Sequence, residues 1–346
     1  MNTTSWRGDS DRSVLSIQDL RVTYSGRSSL LEGLFGREAA GARAVDGVSL
    51  DIKRGQIMAL AGESGCGKTT LARTIMGLEK PTGGRVVFDG EPIEDLRAYR
   101  RRVQMIFQDP TGALNPRQTI YESVAEGLRI HGITDDEEGK VATALSQAGL
   151  RPPERFFLLY PHEVSGGQRQ RVVIAGALVL DPEVIIADEP VSMLDASVRG
   201  EILRLLLKLR DDLDLTILVV THDLGLAWTV ADQVSVMYLG RIVEDGPAEE
   251  VLTNPQHPYT KALLAVVEDV PEGVRQVERP ILLGEPPDPT RIPQGCRFHP
   301  RCPEVASGRA EAAGILSRCV GEDPPLIVAG RDQAAACWLA ESQGRR

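Results

Sequence analysis

Residues 62–69 read GESGCGKT and fit the pattern G-x-x-x-x-G-K-[ST]. Gly62, Gly65 and Gly67 let the backbone wrap a phosphate. Its charge is met by amide N–H groups and by a helix N-terminus, each interaction worth about 0.3–1 kcal/mol and up to ~2 in good geometry. Lys68 reaches for the β- and γ-phosphates, and Thr69 places its hydroxyl on Mg²⁺. Glu63, Ser64, Cys66 and Thr70 complete the stretch; Cys66 is read as a small filler that contributes its N–H, not as a nucleophile.

A second constellation is VIIADEP (184–190), a hydrophobic run ending in two carboxylates. Asp188 would hold Mg²⁺ through water, and Glu189 would orient and deprotonate the attacking water, general-base help that contributes roughly 10²–10⁴-fold. Gln108 in MIFQDP and His222 in VVTHD fall at strand ends, where polar groups can sense a γ-phosphate at the carboxyl edge of a sheet. VSGGQRQR (164–171) presents Ser165, Gly166 and Gly167 at the start of a helix expected over Arg169–Leu180, a second phosphate-binding N-terminus. One chain gains little from two such sites for one nucleotide, whereas two copies packed head to tail would close SGGQ over each other's nucleotide. The bland alternative is a capping turn on a surface helix.

These residues need a scaffold. VLSIQDLRVTY (14–24) and AVDGVSLDI (44–52) have the near period-two patterning of strands, joined by a surface connection over 25–43. IMALAG (57–62) is a buried strand flowing into the glycine loop and then a helix. From about 95 to 180 the spacing turns mostly helical, with Ile120, Val124 and Leu128 on one face and Val141, Leu145 and Leu150 spaced similarly. Buried strands return at VIIAD (184–188) and TILVVTHD (216–223), separated by a helix around 201–209, which implies a parallel sheet. DQVSVMYLGRIVEDG (232–246) reads as a closing hairpin and 257–267 as a helix, followed by a Pro-rich linker.

The chain has 346 residues, 42% hydrophobic and 25% charged, which excludes disordered, collagen-like and coiled-coil classes. Its net charge of −10 gives no help to non-specific nucleic-acid or anionic-membrane binding. The longest apolar run, Val172 to Leu180, is nine residues, far short of a membrane span. The polar N-terminus has no secretory pattern, so residues 1–13 are expected to be a flexible tail of a cytoplasmic protein in which disulfides are not expected. Four of the five cysteines, Cys296, Cys302, Cys319 and Cys337, cluster near the C-terminus. They lack paired C-x₂-C knuckles; a structural Zn²⁺, a [4Fe–4S] cluster and plain buried thiols are the alternatives.

From the phosphate loop through SGGQ, Asp188-Glu189, SMLD (192–195) and His222, residues 14–250 resemble the nucleotide-binding subunit of an ABC transporter. The wording GESGCGKTTLAR, MIFQDPTGALNPR, YPHEVSGGQRQRV, MYLGRIVEDG, NPQHPYTKALL and GCRFHPRCP resembles ATPase subunits of oligopeptide and dipeptide permeases, nearer the F-type than the D-type. The resemblance implies an α/β P-loop fold: a RecA-like parallel core, an antiparallel β subdomain and an inserted helical subdomain. It divides the chain into an ATPase domain (14–268, helical subdomain about 95–180), a linker (269–293) and a cysteine-containing domain (294–346).

The same resemblance implies ATP and Mg²⁺ as ligands, with Mg²⁺ on Thr69, Gln108 and Asp188, Glu189 and His222 catalytic, and ATP on residues 62–70 and Gln108. Tyr24 falls where the family stacks an aromatic on adenine, the alternative being a strand-face tyrosine. Ser165, Gly166, Gly167 and Gln168 form the signature that meets the partner's ATP, and Asp195 belongs to the loop crossing the dimer. Val164 and Met193 depart from the usual residues, and the Cys302 to Cys319 spacing is longer than the family's. A [4Fe–4S] cluster on Cys296, Cys302, Cys319 and Cys337 is implied by the GCRFHPRCP tail.

The expected partners are a second ABC ATPase, a paralogue rather than self, two membrane permeases contacted through 155–163 and 109–117, and an extracytoplasmic binding protein; no nucleic acid is expected. The place is the cytoplasmic face of the membrane, and the activity is ATP hydrolysis that drives peptide import. The alternatives are the same role for a metal chelate, a soluble ABC ATPase, a small-molecule kinase or GTPase, and a redox-sensing module. The soluble ATPase lacks its coiled-coil insertions here, and the kinase or GTPase leaves SGGQ unused.

Overall fold

The computed structural model describes residues 13–24, 41–266, 288–330 and 332–344. The expected tail apart from Ser13, most of the 25–43 connection and most of the Pro-rich linker lie outside the described residues. Two compact units emerge: Met1–Asp51, Met58–Pro92 and Thr221–Arg346 form the first, Ile52–Ile57 and Ile93–Val220 the second.

In the first unit an antiparallel sheet runs in the order Ala42–Lys53, Ser13–Tyr24, Gly83–Phe88, Glu91–Pro92. Leu15 and Ile17 are buried at period two, the pairing register shifts between Gln18 and Arg21 where Asp19 takes φ 44°, and the buried alternation resumes at Leu20 and Val22. A second sheet is built outward from the strand Ile57–Ala61, all five residues of which are buried, as a strand covered on both faces requires. It pairs in parallel with Gln233–Tyr238, Met58 opposite Gln233 and Ala61 opposite Val236. The chain then reverses at Leu239-Gly240, both in the left-handed region (φ 44° and 77°), the two-residue turn whose twist matches its strands. Arg241–Pro247 returns antiparallel, Arg241 opposite Tyr238.

The strand Arg241–Pro247 pairs next with Ala334–Ala335, which pairs with Ile327–Val328. The cysteine segment has a small apolar cluster of its own, Ala310, Ile315 and Trp338, and is also joined to this sheet. Residues beyond the linker complete the same sheet and share the same unit, because strand Arg241–Pro247 has an edge to satisfy and Phe298 joins the apolar cluster of Tyr238 and Tyr259.

The second unit holds three parallel strands in the order Thr216–Thr221, Val184–Asp188, Val103–Ile106, with Ile186 opposite Leu218 and Met105. The stretch around 95–180 therefore contains a sheet strand as well as helices. Helix Ile120–His131 buries Ile120, Val124 and Leu128, and Glu137–Gln147 buries Val141 and Leu145, as their spacing predicts. Helix Gly166–Leu178 begins three residues before the expected start, since Ser165 caps it. Helix Ala196–Leu213 follows strand Val184–Asp188.

Candidate functional site

The phosphate loop lies between strand Ile57–Ala61 and helix Lys68–Ile75. Its glycines answer steric demands: a Cβ at Gly67 (φ 110°) would lie 2.0 Å from the Ala44 carbonyl oxygen, and one at Gly62 (φ 154°) 2.3 Å from that of Met237. Gly67 leaves the helix N-terminus without a side-chain cap, and no acidic residue sits in its first turn. The helix's first amides therefore face no side chain of their own cap, the arrangement that suits an anion.

Lys68 is buried, and its ammonium donates across the loop to the carbonyls of Gly62 (2.7 Å) and Glu63 (2.9 Å). Cys66 is buried against it, and burial pushes the thiol up from its ordinary value. A protonated, enclosed thiol fits a filler. Thr69 and Thr70 open the helix, and Ser64 and Gly65 occupy the turn.

Two residues of this region had no role from sequence. The Glu63 N–H donates to the Tyr259 hydroxyl (2.8 Å), and the Glu63 carboxylate accepts two bonds from Arg301, Nη1 to Oε2 at 2.8 Å and Nη2 to Oε1 at 3.1 Å. That hydrogen bonding holds the Arg301 guanidinium above its ordinary value. Arg301 belongs to GCRFHPRCP and Tyr259 to NPQHPYTKALL, so their motifs were visible, but not what they touch. Tyr24 ends its strand 42% exposed, and His222 is exposed just before the helix Leu224–Val230.

The second unit brings together two other expected residues. Gln108 Nε2 donates to Glu189 Oε2 at 3.0 Å. Glu189 adopts φ 47°, uncommon for a residue with a side chain. Its backbone is held by its N–H on the Val220 carbonyl (2.9 Å) and by Ser192, whose N–H (3.2 Å) and hydroxyl (3.1 Å) donate to its carbonyl. Asp188, one residue earlier, is buried at the strand end.

The signature forms a capping box: Ser165 Oγ accepts from the Gln168 N–H (3.2 Å), and Gln168 Oε1 accepts from the Ser165 N–H (3.0 Å). Gly166 is open, while a Cβ at Gly167 would lie 2.7 Å from Val198 Cγ1. Asp195 caps helix Ala196–Leu213 through the Val198 N–H (3.0 Å), and that hydrogen bond holds its carboxyl below the ordinary range.

The four C-terminal cysteines line one cavity of about 20 Å³ with His257, Phe298 and others. All are free thiols, and burial pushes Cys296 up to about 12 and Cys302 up to about 11. Thiolate chemistry would suit iron, but among the described residues no three His, Cys, Asp or Glu side chains converge closely enough to hold a metal ion. The [4Fe–4S] expectation is therefore not supported by the cavity as built.

Comparison with known proteins gives a consistent picture. Residues 45–192 match the family described as ABC transporter, and 243–308 match the oligopeptide/dipeptide transporter C-terminal region. The chain is 43% identical over 299 residues to the oligopeptide transport ATP-binding protein AppF of Bacillus subtilis, covering 84% of this chain and 89% of that one. It is 45% identical over 278 residues to the dipeptide transport ATP-binding protein DppF of Haemophilus influenzae, covering 78% and 84%. Among solved structures, cbiO1 from Clostridium perfringens, part of the ABC transporter complex cbiONQ, aligns with TM-score 0.60 and 31% identity over 70% of this chain and 92% of that chain. A dimeric ATP-binding cassette in a post-hydrolysis state bound to ADP and Pi aligns with TM-score 0.58 and 29% identity over 68% and 98%.

Proposed function

Because the chain belongs to the family of ATP-binding subunits of oligopeptide and dipeptide ABC transporters, we propose that it hydrolyses ATP to energise peptide import. The observation that carries this reading is the Gln108–Glu189 hydrogen bond: a carboxylate on a left-handed backbone, held by a strand-end amide, in a chain that also carries a phosphate loop.

In this reading Gly62–Thr70 cradle the phosphates, with Lys68 turning from the loop carbonyls to the β- and γ-oxygens. Tyr24 stacks on the adenine. Thr69, Gln108 and Asp188 offer a hydroxyl, an amide and a carboxylate, hard oxygen donors that suit Mg²⁺, which when bound neutralises phosphate charge. Glu189 accepts the proton of the attacking water. Gln108 holds that carboxylate in place, and His222 donates to the γ-phosphate. Ser165 and the amides of Gly166 and Gly167 meet the nucleotide of a second ATPase, a paralogue, with Asp195 at the dimer crossing.

The body is 14–268 with its helical part at about 95–180, followed by a linker (269–293) and the cysteine segment (294–346). Two permeases and, through them, an extracytoplasmic binding protein complete the complex at the cytoplasmic face of the membrane. No helix among the described residues is long and apolar enough to cross a membrane, in keeping with a peripheral subunit. That four cysteines line one cavity is what supports iron there, a reading that requires the thiols to draw closer than they stand in this structure. Iron analysis of anaerobically purified chain separates a cluster from bare thiols. The test of the main reading is capture of the tagged chain from its native membranes: two permeases and a second ATPase are expected, and nucleic-acid machinery or no membrane partner would contradict it.

A further inference from the structure

The phosphate loop contains an acid. Glu63 is the second residue of a loop whose task, in the reading above, is to bind a polyanion, so its carboxylate opposes the ligand unless something cancels it. The cancelling group is Arg301, whose guanidinium is 8% exposed and grips the 21% exposed carboxylate through two parallel bonds of 2.8 and 3.1 Å. This fork-to-carboxylate geometry fixes orientation as well as charge.

Arg301 stands 238 positions away in the chain, immediately before Cys302, in the segment that carries two of the cavity cysteines. The segment is anchored twice more. Phe298 packs with Tyr238 and Tyr259, ring centroids 5.3 and 5.4 Å apart, and Tyr259 is the residue that accepts the Glu63 N–H. Arg297, also buried, pairs with Asp46 and donates to the Leu239 carbonyl; the neighbouring Gly240 N–H donates to the Cys66 carbonyl at 2.8 Å inside the loop. The segment between Cys296 and Cys302 thus reaches the loop at both its start and its middle.

We propose that Arg301 is a positioning residue of the nucleotide site. It neutralises Glu63 and pins the loop, and the cysteine-bearing segment acts on nucleotide affinity through it. The inference rests on the assignment of ATP to this loop.

The test uses the purified full chain titrated with a fluorescent N-methylanthraniloyl ATP analogue and Mg²⁺. Arg301→Gln is expected to bind about tenfold more weakly, ~1.4 kcal/mol, with the deficit shrinking as salt screens the freed carboxylate. Arg301→Lys, which keeps the charge without the fork, falls between. The decisive arm is Glu63→Gln/Arg301→Gln: with no carboxylate left to neutralise, affinity returns to that of Glu63→Gln alone. A purely architectural role for Arg301 would leave the double variant as weak as Arg301→Gln and insensitive to salt, which overturns the proposal. So would unchanged affinity in Arg301→Gln. Should the unmodified chain fail to take up the analogue, the ATP assignment itself falls, an outcome distinguishable from either of these.

Discussion

Substituting alanine for Gly67 and, separately, for Gly65 distinguishes two reasons why a phosphate loop is rich in glycine. Gly65 has φ 78° with no atom within 4 Å of a Cβ, so Gly65→Ala meets only the conformational cost of a left-handed L residue, about 1–2 kcal/mol. Gly67 has φ 110° and a Cβ there would lie 2.0 Å from the Ala44 carbonyl oxygen and 2.9 Å from the Met237 methyl. The methyl can move, but the carbonyl belongs to strand Ala42–Lys53, so overpacking adds about 1–3 kcal/mol. Gly67→Ala should therefore destabilise by about 2–5 kcal/mol in total. The assay is urea denaturation followed by circular dichroism, with a lower midpoint expected for Gly67→Ala than for Gly65→Ala. Equal midpoints for the two variants would refute the steric argument and reduce the loop's glycines to a matter of backbone freedom.

Other perturbations follow from the same geometry. Lys68→Ala should weaken nucleotide binding in a titration, since the loop then has carbonyls where it had an ammonium; wild-type affinity would remove Lys68 from the site. Ser165→Ala loses the capping box, so helix Gly166–Leu178 should lose about 1 kcal/mol in denaturant unfolding, and no loss would mean that the cap is idle. The third concerns a buried pair of titrating groups. Burial raises Glu244 to about 7 despite the Gln256 and His257 N–H groups and Gln333 that donate to it, and burial lowers His257 to about 3. Between about 4.5 and 7 the folded chain holds the Glu244 proton that the unfolded chain has released, so stability falls as pH rises. His257 does the reverse between about 3 and 6.5, where only the unfolded chain holds the proton. The two slopes oppose each other over most of that range. Glu244→Gln should leave stability rising with pH up to about 6.5, and a variant whose profile parallels the wild type would contradict the assignment.

The sequence showed the phosphate loop because its glycine spacing is legible whatever imposes it, here positive φ at Gly62, Gly65 and Gly67 and close carbonyls of remote strands at Gly62 and Gly67, and the two buried strands because runs such as IMALA and VIIAD have no other stable place. The Ser165-x-x-Gln168 spacing is that of a capping box, and the structure uses it so, while the glycines between leave the helix start bare. What stayed hidden is pairing at a distance. Nothing in the local pattern says that Arg301 meets Glu63 or that Ala334–Ala335, two residues long, lengthens a sheet begun at Ile57. The strand Val103–Ile106 was submerged in helical surroundings because four residues are too few to establish a period. The cysteines were recognisable as a group, but spacing alone does not bring thiols close enough for an ion.

The central claim is tested most directly by uptake of a labelled peptide into vesicles carrying the complete transporter, comparing the native subunit with Glu189→Gln. The account predicts ATP-dependent uptake by the native complex. With the variant, ATP still binds but hydrolysis and uptake fall together by roughly 10²–10⁴-fold, the contribution of a general base. Uptake that continues at the native rate in the variant, or hydrolysis that persists without uptake, would contradict it.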